Sequence, residues 1–197
     1  VASNLQHVLT DCPHREKLGW LEVAHLMGPS ILLNYDMGEL YRKICRDTTD
    51  SQLAGGMVPD IAPEYVRFKS GFFESPEWGS ASVQLPWLID RWYGDEHILR
   101  EQYPTMARYT NYLAGTRNEA GLVKGGLGDW YDWTPEKGHV GPSQLTPPEL
   151  PATCMLYDNA RILHQAATMQ DKAAEARKWE EMLEEVRRDF LAAYYDK

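Results

Sequence analysis

The chain lacks several things that would narrow its function quickly. It has no apolar run approaching the roughly 18 residues of a helical membrane span. It has only three cysteines in 197 residues, Cys12, Cys45 and Cys154. They are widely separated and form no CxxC pair. An odd count cannot complete a disulfide framework, and no zinc-finger spacing is present, so they read as buried thiols. Basic residues are few, 20 Lys and Arg against 29 Asp and Glu, for a formal net charge of -9. That balance argues against nucleic acid or an anionic membrane as a partner, since both call for basic patches. Phenylalanine is scarce, with four residues, whereas Trp and Tyr number seven and eleven. Trp and Tyr offer flat apolar faces with a polar handle, which suits both cores and sugar-binding walls. The hydrophobic fraction of 43% and charged fraction of 25% are those of a globular chain. It opens on Val1-Ala2-Ser3 rather than Met, which reads as a processed chain or an excised piece.

Apolar periodicity predicts six helices, over about 18–34, 37–52, 78–93, 95–113, 152–169 and 171–195. The joints at Tyr35-Asp36, Gly94-Asp95 and Gln170-Asp171 are short. Short joints make antiparallel neighbours, so the helices pair into three hairpins. The joints over 55–77 and 125–151 are long and rich in Gly, Pro and Trp, as functional loops are. In a series of hairpins, the segments before helices one, three and five share one end. Those segments, Asp11 to Gly19, Gly55 to Glu77 and Gly125 to Pro151, are therefore expected to converge on a pocket. The pattern fits an all-α toroid of helical hairpins, of which three hairpins would form an incomplete ring.

The densest chemistry lies in Asp11-Cys12-Pro13-His14-Arg15-Glu16-Lys17-Leu18-Gly19-Trp20. Two carboxylates five residues apart, an Arg between them and a Trp beyond suit glycoside hydrolysis. That reaction needs one carboxylic acid to protonate the leaving oxygen and a second carboxylate on the anomeric side. The same residues also fit a surface loop with a local ion pair and a core Trp. Gly125-Gly126-Leu127-Gly128 lacks the strand and helix context of a dinucleotide loop. His25 and His164 read as satisfied helix residues, and Trp87 and Trp92 as core.

The Asp-Cys-Pro-x-Arg-Glu-x-Leu-Gly-Trp stretch resembles the signature of the α-L-rhamnosidases of glycoside hydrolase family 78. Asn34-Tyr35-Asp36, Gln52 with Gly55-Gly56 and Val58-Pro59, Trp78-Gly79-Ser80-Ala81, Pro86-Trp87, Tyr93-Gly94-Asp95 and Gly128-Asp129-Trp130 follow in the family's order. The resemblance implies an (α/α)6 barrel, with residues 1–197 as its N-terminal part and the rest outside this chain. It implies an inverting hydrolase of terminal α-L-rhamnosides that uses no cofactor and no metal. Glu16 would be the general acid, with Asp11 beside it in the catalytic set. Arg15, Trp20, Trp78, Asp129 and Trp130 would bind the sugar, and Asp132 extends that acidic aromatic loop. The partners implied are a carbohydrate substrate, the remainder of the barrel and β-sandwich domains of the parent chain. A secreted or periplasmic location follows from the same resemblance.

The chain departs from the family at two places. Val23 stands where the family has a functional Asp, and Ser80 replaces the Asp of Trp-Gly-Asp-Ala. Glu22 neighbours Val23, but one step around a helix turns a side chain by about 100°, so it is expected to point elsewhere. Arg15 is expected to hold Asp11 or a sugar hydroxyl, leaving Glu16 with a raised pKa. No residue before Lys197 matches the family's general base. The departures leave room for another barrel glycosidase, such as an unsaturated uronide hydrolase, or for a non-catalytic carbohydrate-binding protein.

Overall fold

A computed structural model of the chain describes residues 2–68, 72–135 and 141–195. These form eight α-helices and, among the described residues, no strand beyond isolated bridges. They are α1 (Leu21–Leu26), α2 (Gly28–Leu32), α3 (Gly38–Ser51), α4 (Pro76–Gly79), α5 (Ala81–Tyr93), α6 (Glu96–Gly115), α7 (Glu149–Met169) and α8 (Ala173–Tyr194). No described helix is long and apolar enough to cross a membrane.

Two of the six expected helices are broken, at Met27 and at Ser80. The helix expected over 18–34 starts only at Leu21 and divides at Met27 into α1 and α2. Pro29 has no N–H to give back and its ring crowds the preceding turn, so it starts a helix rather than extending one. The helix expected from Trp78 begins at Pro76 as α4 and bends at Ser80 before α5. Gly94, at φ +68°, ends α5 in the left-handed conformation that favours glycine. Asp95 then caps α6 by accepting a hydrogen bond from the His97 N–H at 3.1 Å.

The second and third hairpins form as expected, α5 against α6 and α7 against α8. The first does not form a directly packed pair. α1 packs on α5 and α4, while α3 packs on α5 and α6. The reason is length: two short helices divided by Gly28-Pro29 present no continuous stripe to α3. The result is a layer of α1, α5 and α7, with α3, α6 and α8 packed against α5 and α7. Trp179 of α8 is fully buried, and its indole N–H donates to the Tyr103 hydroxyl at 2.9 Å. Of the cysteines only Cys45 is buried. Cys12 is half-buried in the loop before α1, and Cys154 is exposed on α7, so two of the three were misplaced by composition alone. Trp92 is 44% exposed, not core, whereas Trp87 packs partly against the core.

One tertiary contact orients the loops. Segment 19–21 lies antiparallel to segment 60–62: the Leu21 N–H donates to Asp60 O and the Ala62 N–H to Gly19 O, each at 3.0 Å. Gly19 is required by this approach, because a Cβ there would lie 2.6 Å from the Ala62 carbonyl oxygen. Beneath the bridge the Asp60 carboxylate is buried and accepts from the Ser75 N–H at 2.6 Å and the Ser75 hydroxyl at 2.9 Å. Next to it Glu77 is buried, and the backbone amides of Leu127 and Gly128 turn towards its carboxylate. The 125–128 turn wraps this carboxylate. A Cβ on Gly126, at φ +92°, would sit 2.9 Å from Glu77 Oε2, so this glycine lets the turn close over the carboxyl. His25 is half-buried, its Nε2 2.6 Å from the Glu77 carbonyl oxygen. A carbonyl only accepts, so Nε2 carries the proton.

Burial raises both Asp60 and Glu77 to a pKa of about 7, from 3.8 and 4.5, with the charge of Asp60 adding to the rise in Glu77. Each holds a proton in the folded state that the unfolded chain releases at lower pH. Their contribution is full below the unfolded values and is lost as pH rises towards 7. Burial lowers His25 to about 4 from 6.5, giving a contribution of opposite sign that is lost as pH falls from 6.5 towards 4.

Two outcomes are expected. Gly19→Ala should destabilise by about 1–3 kcal/mol, since backbone rather than a flexible side chain must yield; an unchanged melting temperature would contradict the close approach. Glu77→Gln keeps the neutral form at every pH. Its melting temperature should gain on the parent's as pH rises from 5 to 8, by roughly 5 °C. Parallel profiles would show that Glu77 does not titrate in this window.

Candidate functional site

The three segments converge as expected. A pocket of about 790 Å³ opens where they meet, lined by Asp11, Arg15, Glu16, Leu18, Trp20 and Glu22, by Phe68, Phe72 and Trp78, and by Trp130, Tyr131 and Gly141. The long loops also contain residues 69–71 and 136–140, which lie outside the described residues.

One wall is aromatic. Trp20 stacks on Phe68 with centroids 5.5 Å apart and planes 21° from parallel, and it meets Phe72 edge-on at 5.8 Å. Phe72 in turn meets the Trp130 ring edge-on at 5.2 Å. Trp78, just after Glu77 in α4, is buried at the base. The pinned 19–21 segment therefore carries the first ring of a continuous surface built from three loops. Phe68 and Phe72 were not among the expected site residues. Their signal was compositional: three of the chain's four phenylalanines, Phe68, Phe72 and Phe73, fall within six residues.

The loop that leads into Trp20 is acidic. Glu16 accepts from the Trp20 indole N–H at 3.2 Å, one helical turn away in sequence but across the loop's end in space. Arg15 does not hold Asp11. Its Nε lies 3.2 Å from Glu16 Oε2, and its Nη2 donates to Cys12 Sγ at 3.3 Å. The cause is the turn over residues 13–16, which folds the guanidinium back along its own loop. Burial is the largest single influence on Glu16 and would raise it. The Glu16 backbone amide, the Cys12 thiol, the Trp20 indole and the Arg15 charge together outweigh burial and hold the carboxyl below the ordinary Glu range. This is the reverse of the raised pKa expected from the sequence. Asp11, Cys12 and Glu16 bring donor atoms within 4.8 Å of one another, but the positive charge facing them is the Arg15 guanidinium.

Glu22 also lines the pocket, against the expectation that it would turn away. Helix α1 starts at Leu21, and Leu21 and Ala24 are both about 1% exposed. That phase places Val23 against the core and Glu22 on the pocket flank. Burial, and then the charge of Asp11, raise the Glu22 pKa.

Asp129 and Asp132 do not line the pocket. Asp129 is exposed, and its backbone carbonyl accepts from the Asp132 N–H at 2.9 Å. The Asp132 Oδ2 accepts from the Thr146 N–H at 2.6 Å, and the Ser143 N–H donates to Leu127 O at 2.8 Å. These contacts shape the turn that presents Trp130 and Tyr131.

Several motif residues meet at short joints between helices instead. The Tyr93 hydroxyl donates to Asp36 Oδ1 at 2.9 Å, and Arg42 pairs with Asp95 at 2.7 Å. Gln52 accepts from Arg108 at 2.8 Å and donates to the Gly56 carbonyl at 2.9 Å. Their work is to close turns and dock helices.

The comparisons with known proteins agree with this architecture. A family model described as the bacterial alpha-L-rhamnosidase 6 hairpin glycosidase domain matches residues 1–197. An alpha-L-rhamnosidase of Formosa agariphila is 30% identical over 181 residues, covering 88% of this chain and 19% of that protein. The structure of an alpha-L-rhamnosidase from Dictyoglumus thermophilum superposes with a TM-score of 0.85 at 28% identity, over 95% of this chain and 20% of that one. The Streptomyces avermitilis alpha-L-rhamnosidase, crystallised with L-rhamnose, gives a TM-score of 0.82 at 26% identity, over 97% of this chain and 17% of that one. The chain thus spans about a fifth of the length of these relatives. Its helices form part of an (α/α)6 barrel, and the chain belongs to the bacterial α-L-rhamnosidase six-hairpin glycosidase family.

Proposed function

We propose that the chain is the N-terminal half of the catalytic barrel of an inverting α-L-rhamnosidase, with Glu16 as the proton donor. The observation that carries this is one pocket in which Glu16, hydrogen-bonded to Trp20, faces an aromatic wall from three loops. L-Rhamnose is a neutral 6-deoxy sugar. Its methyl group and apolar ring face suit Trp20, Phe72 and Trp130, and its hydroxyls suit Asp11 and Arg15. An anionic uronide suits the pocket less well: among the described lining residues Asp11, Glu16 and Glu22 face a single cation, Arg15, already paired with Glu16.

The acid must be protonated when it acts, yet it is held ionised in the empty pocket. Arg15 resolves this. Its side chain is 74% exposed and, among the described residues, anchored through Glu16 and Cys12 alone, so a sugar hydroxyl can draw it away at small cost. With the guanidinium drawn away and water displaced by substrate, burial weighs more heavily against the Glu16 amide, the Cys12 thiol and the Trp20 indole, and the Glu16 pKa rises towards that of a usable acid. Protonation of the glycosidic oxygen then accompanies departure of the aglycone. An inverting reaction needs a second carboxylate about 6.5–9.5 Å away to activate water, and this base comes from the remainder of the barrel. Asp129 and Asp132 act through the loop they shape. Action on glycosides and oligosaccharides outside the cell is part of the same reading.

Glu16→Gln in the complete protein keeps the size and the acceptor for Trp20 but removes the proton. It should lower kcat/KM on aryl α-L-rhamnosides by about 10²–10⁴-fold, with a smaller loss for acidic phenols, which leave with less help. Turnover that survives the substitution would remove Glu16 from the acid role.

A further inference from the structure

Glu22 is a pocket carboxylate without a partner among the described residues. It occupies the second position of α1, where the Leu21–Asp60 backbone bond fixes the phase of the helix. It is half-buried, lines the pocket, and makes no hydrogen bond or ion pair with any described residue. The two strong donors nearby are already committed: the Trp20 indole and the Arg15 guanidinium both serve Glu16. A carboxylate withdrawn from water without donors is costly, and burial with the neighbouring Asp11 charge disfavours its ionised form further. None of the described residues supplies those donors, and a ligand's hydroxyls can. A ligand whose ring rests on the Trp20 and Phe72 side of the pocket and carries hydroxyls along its edge meets that need; a ligand with its own carboxylate would oppose Glu22 and Asp11 together.

We propose that Glu22 is a specificity-determining residue that accepts hydrogen bonds from hydroxyls of the neutral sugar unit bound in this pocket. This rests on the reading of the pocket as a glycosidase site. Its contribution is to ground-state and transition-state binding alike, so it acts on KM more than on kcat.

The test uses the complete protein as wild type, Glu22→Ala and Glu22→Gln. Each is assayed on an aryl α-L-rhamnoside and on analogues lacking the 2-, 3- or 4-hydroxyl, with L-rhamnose binding followed by calorimetry. Glu22→Ala should raise KM and weaken L-rhamnose by about 10- to 100-fold, with kcat changed by less than about threefold. Glu22→Gln, whose amide oxygen still accepts, should fall between. The analogue lacking the hydroxyl that Glu22 accepts should be poor for the wild type and lose little more in Glu22→Ala, a pattern that a purely structural defect does not produce. An unchanged KM in Glu22→Ala, or an equal loss on every analogue, would overturn the assignment. If the wild type hydrolyses no rhamnoside, the rhamnosidase reading falls by itself. L-Rhamnose binding that weakens in Glu22→Ala would then still support Glu22, and absence of binding by the wild type would overturn it.

Discussion

The pocket depends on one backbone contact, the two hydrogen bonds that lock residues 19–21 to residues 60–62. Each end of this bridge leads to a different part of the site. On one strand it holds Trp20 at the pocket wall and, through Leu21, sets the rotation of α1 that brings Glu22 to the flank. On the other, Asp60 turns its carboxylate to Ser75 and so anchors the approach to α4, which carries Glu77 and Trp78. Glu77 lies against Gly126, in the turn before Trp130. A chain of contacts thus runs from the first loop to the second and from the second to the third. The aromatic wall is the surface of that chain of contacts.

Beneath the wall lies an unusual concentration of buried titratable groups. Asp60 and Glu77 are buried, and the half-buried His25 meets the Glu77 backbone carbonyl. Both carboxyls are raised to about 7, so the floor of the site is close to neutral in charge below that pH. A neutral floor suits a pocket whose walls already carry Asp11, Glu16 and Glu22, because a further buried negative charge would raise the cost of every ionised wall residue.

Much of this was legible in the sequence, and the parts that were not share a cause. The helical hairpins around Gly94-Asp95 and Gln170-Asp171 could be read because local rules decide them: a left-handed glycine, an Asp cap, continuous apolar stripes. The convergence of the three loops followed from hairpin geometry. The division of the first helix was written in Gly28-Pro29 but was outweighed by the apolar pattern on both sides. The side that Glu22 faces was missed because helical phase counts only from a known start, and that start is set by Asp60, far away in the chain. Phe68 and Phe72 lie in irregular backbone, where no period marks a face. Arg15 was expected to reach Asp11, but the turn over residues 13–16 delivers it to the adjacent Glu16, a preference invisible in the spacing. The residues shared with the family divide the same way: some make the pocket, and others, such as Asp36, Gln52 and Asp95, fasten turns far from it.

The central claim is that Glu16 is held ionised in the free pocket by its own backbone amide, Cys12, Trp20 and the charge of Arg15, and becomes an acid when sugar dries the pocket and draws Arg15 away. The pH dependences of kcat/KM and kcat on an aryl α-L-rhamnoside test it directly, since the first reports the free enzyme and the second the substrate complex. The account predicts that the high-pH limb of kcat lies at higher pH than that of kcat/KM, and that Arg15→Ala moves the kcat/KM limb upward towards it. Coincident limbs that Arg15→Ala leaves in place would contradict it.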